Sequence, residues 1–132
     1  MADVQTEPST VIYVTKKIKI LQAFLQDQIN ALIPATSKSG LIATGTNQST
    51  ALVLTKTRNR IDTAASGTGV KPNVTATEGF TQIIQNKGAN DITYYPFLGN
   101  NFLGAAANAG VVIVAGNELA VYCYDDGELT II

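Results

Sequence analysis

The chain has 132 residues, nine Lys and Arg against ten Asp and Glu, no histidine and one cysteine; 45% of its residues are hydrophobic and only 14% are charged. A net charge of −1 supplies no electropositive field for nucleic acid, and the missing histidine removes Ser-His-Asp and Cys-His catalysis and His-based metal sites. The charge fraction falls well under the roughly 25% of an ordinary soluble domain, so the surface is either rich in neutral polar residues or hidden by a partner.

Residues 1–10 are polar, contain Pro8 and read as a flexible N-terminal arm. From Val11 the pattern changes. Val11, Val14, Ile18, Leu21, Leu25, Gln28 and Leu32 recur at spacings of three and four, the a/d seam of a helix. Ile20, Phe24 and Ile33 widen the apolar face, and Pro34 supplies a stop, so an amphipathic helix is expected over 11–34. Two uses of it stay open: packing on the chain's own β-domain, or a short bundle between identical chains with Gln28 setting register. The β-branched start, Val11 to Thr15, also suits extended backbone with the helix beginning nearer Lys16. No stretch reaches 18 apolar residues and no signal peptide is evident, so neither a membrane nor a secretory route is expected.

After Ser37-Lys38-Ser39-Gly40 the period drops to two, and an antiparallel β-domain is expected over 40–132. Leu41–Thr44, Thr50–Leu54, Arg58–Ala64, Phe80–Gln85, Ile92–Tyr95, Val111–Val114, Leu119–Tyr124 and Glu128–Ile132 read as strands. Val70-Lys71-Pro72 should be extended because proline excludes the helical region at Lys71. The five-residue loop 86–90 suggests a hairpin between the fourth and fifth of these strands, and Asp125-Asp126-Gly127 suggests another before the last. Short loops between adjacent strands favour antiparallel pairing, so the expected fold is mainly β: a small antiparallel β-sandwich or barrel-like domain preceded by one N-terminal α-helix. Val111 to Val114 is apolar on both faces, which leaves Val112 and Val114 in need of a second cover. With the helix seam they form the candidate self-association surface.

Little in the chain carries chemistry. Asp125, Asp126 and Glu128 are the only acidic cluster, too few oxygens for calcium, and read as a solvated turn. Asp62, Glu78 and Glu118 are isolated. Gly67 to Pro72 lacks the spacing of a phosphate loop. Cys123 sits in an apolar strand, a buried small hydrophobe without a disulfide partner. No catalytic residue, metal site or cofactor is expected, and the chain reads as non-enzymatic. Tyr94, Tyr95, Tyr122 and Tyr124 are candidate partner or glycan contacts; Tyr94 and Tyr95 should face opposite ways, whereas Tyr122 and Tyr124 share a face. Cross-strand packing is the alternative for all four.

Asn86-Lys87-Gly88-Ala89-Asn90-Asp91-Ile92-Thr93-Tyr94-Tyr95-Pro96, followed by Gly99, Gly104, Asn108-Ala109, Ala115-Gly116 and Cys123, resembles a pattern in small tailed-bacteriophage virion proteins. Ser66 to Pro72 and the Thr50–Leu54 strand fit the same style, so the resemblance covers about residues 45–124. The end departs from it, with Asp125-Asp126-Gly127-Glu128 where such proteins often carry a tryptophan. The resemblance implies an accessory virion structural protein, a capsid-decoration or head-fibre subunit made in the host cytoplasm. It further implies a homotrimer bound to other virion proteins such as the major capsid protein. The rival expectation is a carbohydrate-binding or receptor-binding β-module of a phage fibre, with Tyr94, Tyr122 or Tyr124 as its platform.

Overall fold

A computed structural model of the chain describes residues 2–32 and 36–132, as a helical unit and, from Thr36 on, a β unit. The helix, α1 (Ala2–Leu32), takes in residues 2–10, which the sequence suggests are an arm, and the Val11–Thr15 stretch that also suited extended backbone. Pro8 falls inside α1, where its missing N–H removes one bond of the helical ladder. Ile33 and Pro34, expected to end the helix, lie outside the described residues.

The β unit is a β-solenoid, a stack of coils, and this corrects the sandwich or barrel expected from sequence. Ten strands follow in chain order: β1 (Ser37–Ile42), β2 (Leu52–Leu54), β3 (Arg58–Thr63), β4 (Gly69–Pro72), β5 (Thr81–Asn86), β6 (Ile92–Tyr94), β7 (Asn101–Phe102), β8 (Val111–Ile113), β9 (Glu118–Asp125) and β10 (Glu128–Ile131). They form a six-stranded sheet, β1-β3-β5-β9-β10-β7, and a four-stranded sheet, β2-β4-β6-β8. Each of the pairs β1/β2, β3/β4 and β5/β6 is one coil that gives a strand to each sheet. Successive coils stack in parallel, Ser37 beside Arg58 beside Ile83 in the larger sheet and Leu52 beside Val70 beside Tyr94 in the smaller.

The short loops therefore join strands of different sheets, and the pairing partner lies one coil further on. The crossover that a parallel pair requires is here a strand and two corners rather than a helix. The hairpin expected between 80–85 and 92–95 is absent for this reason, since β5 and β6 belong to opposite sheets. Apart from an isolated bridge between Thr44 and Gly69, antiparallel pairing among the described strands enters where the chain reverses to close the stack. There β8 runs back along β6, β9 along β5, and β10 folds onto β9 through the Asp125-Asp126-Gly127 turn, where Gly127 has φ 83°.

The interior between the sheets holds Ile61, Val70, Ile84, Ile92, Tyr94, Val121, Cys123 and Leu129, all fully buried. Strand alternation places these residues inward and their neighbours outward, as along β5, where buried Gln82, Ile84 and Asn86 alternate with half-buried Thr81, Ile83 and Gln85. The coil corners are fixed by amides. Wholly buried Asn86 donates through Nδ2 to the Asn90 and Ile113 carbonyls at 2.9 and 3.0 Å, and its Oδ1 accepts from Gly88 N–H at 3.0 Å. Adjacent coils meet closely here, because a Cβ on Gly88 would lie 2.6 Å from that of Ala64.

Candidate interaction surfaces

The seam residues Val11, Val14, Ile18, Leu21 and Leu25 are exposed along α1, as is Gln28; Leu32 is its last residue and its side chain lies outside the description. Leu21 is 57% exposed and Phe24 58%. At about 100° per residue, Ile20, Tyr13 and Phe24 extend the seam into an apolar arc covering roughly half the helix. Lys17 interrupts the arc and sets its ammonium 5.6 Å above the Tyr13 ring, a cation–π contact that lets its stem lie along apolar surface. The opposite arc carries Thr15, Lys16, Lys19, Gln22, Gln26 and Asp27, with Ile12 and Ala23 as its apolar members. A helix bearing this much exposed apolar surface lacks a cover within its own unit.

Val112, at 58%, and Val114 are exposed on the outer side of the smaller sheet, while Ile113 between them enters the core. The same side holds a groove of about 400 Å³ lined by Gln48, Val53, Lys71, Pro72, Phe97 and Leu98, the last 74% exposed. Lys71 is anchored there by donating to the Ser49 carbonyl at 3.0 Å.

The four tyrosines divide. Tyr94 belongs to the core and offers nothing to a partner or glycan: its ring meets Phe102 edge-on at 5.9 Å and its hydroxyl donates to Gln82 Oε1 at 2.8 Å, spanning the two sheets. Burial pushes its phenol pKa far above the ordinary value. Tyr95 faces outward, half-buried, with its ring over Gly69 and Gly110, where side chains would collide with it. Tyr122 and Tyr124 stand together on the outer face of the larger sheet with centroids 4.5 Å apart, and Tyr124 is 60% exposed. Cys123 points inward between them, its thiol pKa raised by burial and its Sγ donating to the Asp125 carbonyl.

A second groove, of about 310 Å³, crosses the outer face of the larger sheet between Lys38, Arg58, Arg60, Ile83, Gln85 and Glu118. Sequence reading passed over it because its residues come from β1, β3, β5 and β9, which only the coil register brings side by side. Arg60 is held by Asp62, Nε to Oδ1 at 2.8 Å. The hydrogen bond from that guanidinium is the main cause that holds the Asp62 carboxyl below its usual value; desolvation opposes it, and the Gly40 N–H adds a smaller lowering.

Among the described residues no three His, Cys, Asp or Glu side chains come together as a metal site, and no helix is long and apolar enough to cross a membrane. Comparison with protein-family models, with curated proteins and with solved structures finds no match to this chain.

Proposed function

We propose that the chain is a non-enzymatic structural subunit, a capsid-decoration or head-fibre protein of a tailed phage, that joins its own copies through α1 and carries the solenoid as a rigid module. The observation that supports this reading is the apolar arc of α1. Seam and flank together form an exposed arc wider than the seam of a two-helix zipper, which suits burial against neighbours on both sides. Val11 and Ile18, β-branched at position a, lean toward two strands, so the number three rests on the phage resemblance. Placement on a virion rests on the resemblance at residues 45–124.

Leu21→Asp tests the assembly, because it sets a carboxylate in a seam that must be dry. In sedimentation velocity the variant is expected to run as monomer or to aggregate while its tyrosine near-ultraviolet signal stays native. An unchanged sedimentation coefficient would contradict the role of α1. Mass spectrometry of purified particles tests the placement, with the chain expected at fixed stoichiometry to the shell protein.

A further inference from the structure

We propose that the outer face of the larger sheet is a binding site for a carboxylate-bearing oligosaccharide. The chain has two arginines, Arg58 and Arg60, and both stand on the outward side of β3, at one groove. Lys38 joins them from β1. In a chain of net charge −1 this is a local concentration of positive charge. The side chains of Arg58 and Lys38 make no ion pair or hydrogen bond to any described residue, whereas that of Arg60 is oriented by Asp62, so two cations are free to meet an anion and a third is already positioned. A guanidinium fork suits a planar carboxylate.

The rest of the face suits a sugar better than a peptide. Gln85 and Glu118 offer hydrogen-bonding groups to hydroxyls, and Ile83 gives a small apolar floor. The register continues the surface along the same face: Ile83 opposes Ala120, and Thr81 opposes Tyr122, so the half-buried Tyr122, paired with exposed Tyr124, stands one row of side chains beyond the groove. A ring at the groove and a second ring on the tyrosines can be bound together, the carboxylate lying toward Lys38 and Arg58 and away from Glu118, which would repel it. An extended peptide would add most readily at the sheet edge beside the groove, β1. That edge is irregular, with register shifts after Lys38 and Leu41 and the Gly40 N–H occupied by Asp62, which disfavours strand addition. This proposal is independent of the assembly through α1.

The test is titration of the full-length chain with tetragalacturonate, followed by amide chemical shifts and calorimetry, with maltotetraose as the neutral control and hexaglutamate as the peptide control. N-acetylneuraminic acid as a separate ligand distinguishes a terminal acidic sugar from a polymer segment. Saturable shifts at Arg58, Arg60, Gln85 and Tyr122 are expected with an acidic sugar and not with maltotetraose. Arg58→Ala should weaken binding by about tenfold or more, Tyr124→Ala by a smaller factor, and Glu118→Gln should strengthen it. Both Arg58 and Tyr124 are exposed, so folded variants are expected, and their unchanged spectra away from the face serve as the check. Absence of binding by both acidic sugars, equal binding of maltotetraose, equal binding of hexaglutamate at the same residues, or full affinity in Arg58→Ala would each overturn the proposal.

Discussion

Replacing Asn86 by leucine should remove the clasp that holds the reversed coil onto the parallel stack. The side chain is wholly buried, and its three hydrogen bonds reach Gly88 in its own corner, Asn90 in the loop and Ile113 in β8. Leucine has nearly the same volume but leaves the Gly88 N–H buried without a partner and removes a donor from the Asn90 carbonyl and from the Ile113 carbonyl, the latter keeping its ladder partner Ile92 in β6. The orphaned N–H costs about 1–3 kcal/mol and each of the other two lost bonds about 1 kcal/mol, and apolar burial by leucine offsets part of this, so a net loss of about 3 kcal/mol is expected. At a urea slope of about 1.5 kcal/mol per molar the unfolding midpoint falls by about 2 M. Near-ultraviolet circular dichroism follows the solenoid selectively, because the chain has no tryptophan and four of its five tyrosines lie there. A midpoint shift under about 0.5 M would refute the reasoning and mean that the corner is held by its backbone bonds alone.

Gly88→Ala should cost about 1–3 kcal/mol by the same assay, since the added methyl meets Ala64 on the adjacent coil. Tyr94 predicts alkaline sensitivity. Its folded pKa is raised above the unfolded value of about 10, so its contribution is complete below that pH and is lost as pH rises further, by up to about 1.4 kcal/mol per pH unit. Tyr94→Phe should be less stable than the parent at pH 7, because Gln82 Oε1 loses its donor, and should lose less above pH ~10; parallel pH profiles of the urea midpoint would contradict this. Asp62 works in the opposite sense. Its depressed pKa gives stability present above the unfolded carboxyl value and lost as pH falls through the folded one, so Asp62→Asn should flatten the acid limb of the thermal-melting profile.

Sequence alternation located most strands to within a residue or two, as at 58–64 against Arg58–Thr63 and 119–124 against Glu118–Asp125. It did so because inward and outward positions differ in polarity whatever the pairing partner. Pairing was not legible. Lys38, Asn59 and Ile84 sit side by side in one sheet, yet neither their residue types nor their spacing repeats, so no period announces the coil. Thr50 to Leu54 and Val70 to Pro72, separated in sequence by the 58–64 strand, likewise give no sign that they are the same position of two coils and pair in parallel. β7 was missed because Asn101-Phe102 is short and lies in a Gly/Asn/Ala segment. The candidate surfaces were legible where one element carries them, as with the α1 seam and the Tyr122–Tyr124 pair. The Arg58–Glu118 groove was not, because four strands from distant parts of the chain build it.

The solution mass of the full-length chain tests assembly through α1 most directly. Static light scattering at tens of micromolar should give three times the 13.9 kDa chain mass, and in any case more than one chain per particle. A soluble, folded species of 13.9 kDa at that concentration would contradict the account.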